Sequence, residues 1–319
     1  MSNLLLWLFI FIVSLAILIK AADFFTDAAE KIGLSLGLNQ FIVGVTIVSL
    51  GTSLPELVSS MFAIYQNSSE IVAGNVIGSN IANILLIIGI TSILNKRIVI
   101  DYNLNDIDIP FFVGSAFLLT LTLINTDFSK GEAIICVMAY LVYFAYLVFE
   151  SSDSGGNFTD ESSSQNRRRQ RSPWLPIAIL IFSSIGIFIG ANYTINSVVK
   201  LAEIIDINTE VIAVSAVALG TSLPELVVSV TAAKKGNSGL VVGNILGSNI
   251  FNALMVMGIP GLFGKLDIVP EVVSRDVPVM LVATILFFFA TQDKQITRWE
   301  GFLFFVLYGW FIGNLFNWL

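Results

Sequence analysis

Long apolar runs separated by short polar interruptions recur along the whole 319-residue chain. A helix crosses the hydrocarbon core of a bilayer with about 20 apolar residues. Runs of that length predict helices over 3–22, 39–65, 70–95, 107–125, 131–150, 173–198, 208–234, 238–263, 275–291 and 298–318. The pattern predicts an all-α membrane protein with ten transmembrane helices. The second run stops at Gln66 and Asn67, and the fourth follows the polar stretch Asp101–Asp108. Leu4–Ile19 has no basic residue ahead of it and no small-residue cleavage site behind it, so it reads as a retained helix and not as a signal peptide.

Ser151–Ser172 breaks the pattern: it is polar, rich in Ser and Gly, and basic at its far end. It reads as a linker between two halves, 1–150 and 173–319, each with five predicted helices. Its arginines read as a topology anchor beside the sixth helix. With the amino terminus outside, twelve of the 16 Lys and Arg residues fall on the cytoplasmic side. Only Lys130, Lys200, Lys265 and Arg275 then lie outside. The positive-inside rule therefore predicts extracellular termini and a cytoplasmic linker.

Composition sharpens what such a bundle can do. Charged residues make up 12% of the chain, about half the share of an ordinary soluble domain, and 55% is hydrophobic. Mean hydropathy is +0.85. A soluble enzyme is excluded. The chain has no His, which removes His-based triads, HExxH zinc sites and His-ligated haem. The single Cys136 removes intramolecular disulfides and cysteine zinc sites. No cofactor and no nucleic-acid partner is expected; the surrounding partner is the lipid bilayer.

Self-similarity decides the reading. Residues 39–90 align without gaps on 208–259, at an offset of 169, with about half the positions identical. GTSLPELV occurs as Gly51–Val58 and again as Gly220–Val227. GNVIGSNIAN, Gly74–Asn83, is matched by GNILGSNIFN, Gly243–Asn252. An odd number of predicted helices separates the copies, so they enter the membrane from opposite sides. Inverted repeats of this kind build secondary transporters, with the binding site near the midplane where the repeats meet. Pro55 and Pro224 predict interruptions in the middle of the second and seventh helices.

Nearly every acidic residue lies in a loop or near a helix end; the exceptions are Glu56 and Glu225, one per repeat. A charge at mid-membrane costs about 2.5–3.5 kcal/mol, so each carboxylate needs a cation or a proton. No Lys or Arg is expected at their depth. Thr52 and Ser53 precede Glu56 by one turn, as Thr221 and Ser222 precede Glu225. Ser79 and Asn83 stand four apart in the third helix, as do Ser248 and Asn252 in the eighth. Converging carboxylate, hydroxyl and amide oxygens, without nitrogen or sulfur ligands, suit a hard cation such as calcium. Interhelical hydrogen bonding without ions is the other reading of the two asparagines. Gly74, Gly78, Gly243 and Gly247 read as close-packing positions. One divalent cation neutralises both glutamates, and so do several sodium ions or two protons; if only a loaded site turns over, the result is antiport.

The paired GTSLPE and GN-x-x-GSN-x-x-N blocks resemble the alpha repeats of the cation/calcium antiporter superfamily, and within it the prokaryotic sodium/calcium exchangers. The resemblance implies a prokaryotic cell-membrane protein that exchanges Na+ for Ca2+ by alternating access, with the second, third, seventh and eighth helices as core and the first and sixth sliding across it. It implies Ca2+ held by Glu56 and Glu225 with the carbonyls of Thr52 and Thr221. It implies Na+ held by the same glutamates with Ser53, Ser79, Ser222, Ser248 and the backbone around Ser49 and Ala218, while Asn83 and Asn252 close the middle. Relatives that co-transport potassium carry an acidic residue where this chain has Asn252, which argues against potassium here. A proton/calcium antiporter is the alternative mechanism. A cation channel is the alternative class, and currents without obligate exchange would distinguish it.

Overall fold

The computed structural model describes residues 2–66, 68–100, 102, 104, 107–124, 127–154, 174–204 and 222–316. Its helical segments are α1 (Ser2–Ser35), α2 (Gln40–Tyr65), α3 (Glu70–Asn95), α4 (Asp108–Leu123), α5 (Lys130–Ser154), α6 (Trp174–Ile204), α7 (Leu223–Lys234), α8 (Ser238–Phe263), α9 (Val272–Thr291) and α10 (Arg298–Leu315). Among the described residues, seven of these, α1, α2, α3, α5, α6, α8 and α9, are long and apolar enough to cross a membrane. The helix α4 is apolar but shorter. Most of the linker, and residues 208–221 of the predicted seventh helix, lie outside the described residues.

Burial sorts the helices into an inner and an outer set. The apolar spans are 94% buried in α8 and 83% in α3, against 17% in α1 and 28% in α6. Lipid-facing helices keep apolar side chains on their outer surface, as Phe9, Ile12, Phe182 and Ile185 do here. The two outer helices pack on each other at Gly190, where a Cβ would lie 2.9 Å from the Leu18 nitrogen. Thr194 donates to Ser14 at 3.0 Å across the same seam.

Apolar length alone predicts that the first helix ends at 22, but α1 continues to Ser35. Its second half is two-sided. Ala22, Phe25, Ala28 and Ala29 are buried. Its polar residues are held from elsewhere: Asp23 and Asp27 pair with Lys235 at 2.9 and 2.8 Å, and Glu30 accepts from Gln40 and Asn237.

The helix α2 runs through Pro55 without a break in its assignment, which corrects the predicted interruption. Proline removes a single helical bond, the one to the Gly51 carbonyl, and neighbouring turns hold the helix together. Pro224 falls in the first turn of the described α7, where its missing donor costs nothing. Among the described residues the departures from α-geometry lie elsewhere, in wide π-helical turns at Gly44–Val48, Ala82–Ile87, Asn252–Val256 and Val272–Asp276. Two of these turns carry Asn83 and Asn252, so the sequence repeat is also a repeat of backbone irregularity.

Two short ribbons pin the connections. β1 (Arg97–Val99) pairs antiparallel with β4 (Gln295–Thr297), and β2 (Asp127–Phe128) with β3 (Leu266–Asp267). Lys96 and Lys294 enter the first ribbon at φ 66° and 54°, a left-handed geometry unusual for lysine. Each is held there by its own carbonyl, which accepts from Arg298 and Ile100 respectively and closes the ladder. Thr297 then caps α10 in a reciprocal box with Glu300.

Candidate cation site

The inner helices bring the repeated polar residues into one buried region. Ser49, Thr52, Ser53 and Glu56 of α2 are buried, as are Ser79 and Asn83 of α3. Ser222, preceding α7, Glu225 of α7, and Ser248 and Asn252 of α8 are buried too. Ala218 and Thr221 lie outside the described residues. At 1% exposure each, Glu56 and Glu225 have no access to bulk water.

Contacts between repeats assemble this region. Ser53 donates to Glu225 Oε1 at 3.0 Å, linking α2 to α7. The asparagine-bearing turn Asn252–Val256 packs on α2, and the turn Ala82–Ile87 packs on α7, so each wide turn meets the glutamate helix of the other repeat. Ser49 turns its hydroxyl back to the Val45 carbonyl within its own helix.

The polar balance of the region is incomplete. Both carboxylate oxygens of Glu56, Oε2 of Glu225, Oγ of Ser222 and the side-chain amides of Asn83 and Asn252 have no hydrogen-bond partner among the described residues. Buried polar groups are normally satisfied, because leaving one unpaired costs about 1–3 kcal/mol. Here the orphaned atoms are mostly oxygens, and they sit on elements that pack against one another. Among the described residues no group of three or more His, Cys, Asp or Glu offers a denser metal site. An arrangement of two carboxylates with neutral oxygens is competent to hold hard cations and lacks the soft donors of zinc or copper sites.

Asn244 and Ser229 belong to the same region and escape a reading of acidic residues. Thr52 donates to Asn244 Oδ1 at 3.3 Å, and Asn244 Nδ2 donates to Ser229 at 2.9 Å. The signal for Asn244 was its place in both GN blocks, where its counterpart is Asn75. The glycines divide. A Cβ at Gly243 would lie 2.3 Å from the Phe41 carbonyl and one at Gly247 within 2.5 Å of the Val45 carbonyl, so α2 and α8 approach backbone to backbone. Gly74 and Gly78 have no such contact among the described residues.

A cavity of about 510 Å3 opens beside Pro55 and Pro224, lined also by Ser60, Gln66, Asn75 and, from α6, Asn192. It reaches from the α2–α3 connection inward to the residues next to both glutamates.

A helical membrane protein that buries two carboxylates among hydroxyl and amide oxygens has the build of a cation transporter. Comparison with known proteins agrees. The family described as "Sodium/calcium exchanger protein" matches residues 6–149 and 175–317. The chain belongs to this family, whose members are antiporters and not enzymes. It is 34% identical to the sodium/calcium exchanger MaX1 of Methanosarcina acetivorans, covering 96% of this chain and 97% of that protein. It is 32% identical to the uncharacterized membrane protein MJ0091 of Methanocaldococcus jannaschii, over 93% and 94% of the two chains. The structure of the sodium-calcium exchanger NCX_Mj, soaked with 2.5 mM Na+ and 0.1 mM Ca2+, superposes with a TM-score of 0.83 at 30% identity, covering 97% of this chain and 98% of that one.

Proposed function

We propose that the protein is an electrogenic antiporter that moves Ca2+ out of the cell against an inward flow of Na+, alternating access to one site between two inverted five-helix halves. The observation that carries this is the set of orphaned oxygens on Glu56, Glu225 and the elements packed against them. Two buried carboxylates demand positive charge, and their neighbours supply oxygens for Ca2+ or, in its place, several Na+. Glu56, Glu225 and the carbonyls of Thr52 and Thr221 are the Ca2+ ligands in this reading. Ser53, Ser79, Ser222, Ser248 and the backbone at Ser49 and Ala218 join the glutamates for Na+, with Asn83 and Asn252 at the middle. Asn252 brings no charge, so potassium is not a co-substrate.

The loop contacts support the ten-helix plan of inverted halves 1–150 and 173–319. Gln40, at the start of α2, bonds Asn237, just past the end of α7. Ser69, before α3, bonds Asp267, after α8. Helices whose opposite ends meet run in opposite directions. Lys31 near the end of α1, Lys234 at the end of α7 and Lys235 in the α7–α8 connection lie on one face, which the positive-inside rule reads as cytoplasmic, the linker with it and the termini outside. The cavity at the α2–α3 connection then faces outward. Calcium uptake by proteoliposomes tests the function: it should require sodium on the opposite side, and uptake indifferent to sodium would refute exchange.

A further inference from the structure

Asn244 is 0% exposed, and its side chain is used on both faces. Nδ2 donates to Ser229 at 2.9 Å. Oδ1 accepts from Thr52 of the opposite repeat at 3.3 Å and from Ser248 at 3.5 Å. Thr52 has two alternative acceptors, the Ser49 carbonyl at 3.4 Å and the Glu225 carboxyl. A hydroxyl binds a cation through its lone pairs, so its proton must point away, and an acceptor behind it fixes that orientation. We propose that Asn244 is the positioning residue that turns the Ser248 proton away from the cation site and, by holding the Thr52 side chain, fixes the Thr52 carbonyl as a ligand, anchored for this by Ser229. The proposal rests on the exchange reading above.

An amide meets these demands without adding charge. A carboxylate at this position accepts from both hydroxyls but has no proton for Ser229, and it would bury a third negative charge beside Glu56 and Glu225. A leucine keeps the volume and does neither job. The first repeat provides the contrast. By the offset of 169, Asn75 and Ser60 correspond to Asn244 and Ser229. Asn75 is half-buried on the wall of the cavity, and Ser60 Oγ has no partner among the described residues. Among the described residues the Ser60–Asn75 counterpart of the Ser229–Asn244 bond is not made.

The test is a cycle of Asn244→Leu and Ser229→Ala in proteoliposomes, reading half-saturating Na+ and Ca2+ separately from maximal rate. Loss of folded protein lowers maximal rate alone; loss of hydroxyl orientation weakens ion affinity. Asn244→Leu should raise both half-saturating concentrations about tenfold or more, and Ser229→Ala about threefold, as expected for one or two lost hydrogen bonds. Because Ser229 acts through Asn244, adding Ser229→Ala to Asn244→Leu should change affinity by less than about twofold. Unchanged affinity in Asn244→Leu, or a Ser229→Ala effect that persists in its presence, would overturn the proposal. Should Asn244→Leu not fold, the mild Ser229→Ala variant decides alone: unaltered affinity overturns it. Wild-type protein that fails to exchange sodium for calcium would sink the exchange reading as well, which separates the two failures.

Discussion

Asn80 Nδ2 donates to the main-chain carbonyl of Asn249 at 3.3 Å, and the two residues are counterparts in the two repeats, 169 positions apart. Contact between equivalent residues is what a two-fold axis between repeats produces. Both are buried at 2% exposure. Asn80→Leu removes this bond while the Asn249 carbonyl keeps the Asn252 backbone N–H, and should cost about 0.5–1.5 kcal/mol, seen as a Tm a few degrees lower in detergent. An unchanged Tm would mean the contact contributes nothing to joining the repeats.

Glu56→Gln and Glu225→Gln each remove one of the two negative charges that call for a cation. Both variants should remain monodisperse on size exclusion and lose calcium exchange. Glutamine matches the shape of a protonated glutamate, so folding is spared. Retained transport in both would place the site elsewhere.

Much of the proposed site can be picked out from the sequence. The glutamates stood out because charge is scarce and the repeat doubled them. The wide turns at Asn83 and Asn252 did not, because a π-turn is one extra residue in a helical period and leaves no compositional trace. Asn80 and Asn244 sit inside the repeated blocks, yet all but one of their partners come from 15 to 200 residues away, a distance that no local pattern reports. The end of α1 was misread for a related reason: its polar residues mark a helix exit by composition, while their partners Lys235 and Asn237 keep the helix going.

The tie between α1 and the α7–α8 connection has a predictable pH range. Burial works against the charge on Lys235, but hydrogen bonds to Asp27 and Asp23 outweigh it and hold its pKa above the ordinary 10.5. A raised lysine pKa contributes stability that is fully present below the unfolded value and lost as pH climbs through the folded one. The Tm difference between wild type and Lys235→Ala should thus be constant from about pH 6 to 9 and shrink only above about 10.5. The pair is partly exposed, so the difference should be small, about 1 kcal/mol or less, and reduced further by salt. A difference that collapses near neutrality would assign the effect to another group.

Asn75 lines the cavity and Asn244 is sealed. With Cys136 replaced by Ser, Asn75→Cys should react with a membrane-impermeant thiol reagent added outside, and Asn244→Cys should react far more slowly. Equal rates would contradict an outward opening.

Sodium-driven calcium flux in proteoliposomes tests the central claim most directly. Vesicles loaded with Na+ and diluted into sodium-free 45Ca2+ should accumulate calcium and develop a membrane potential, and dissipating the sodium gradient should abolish both. Calcium uptake driven equally by a proton gradient in the absence of sodium would contradict the account.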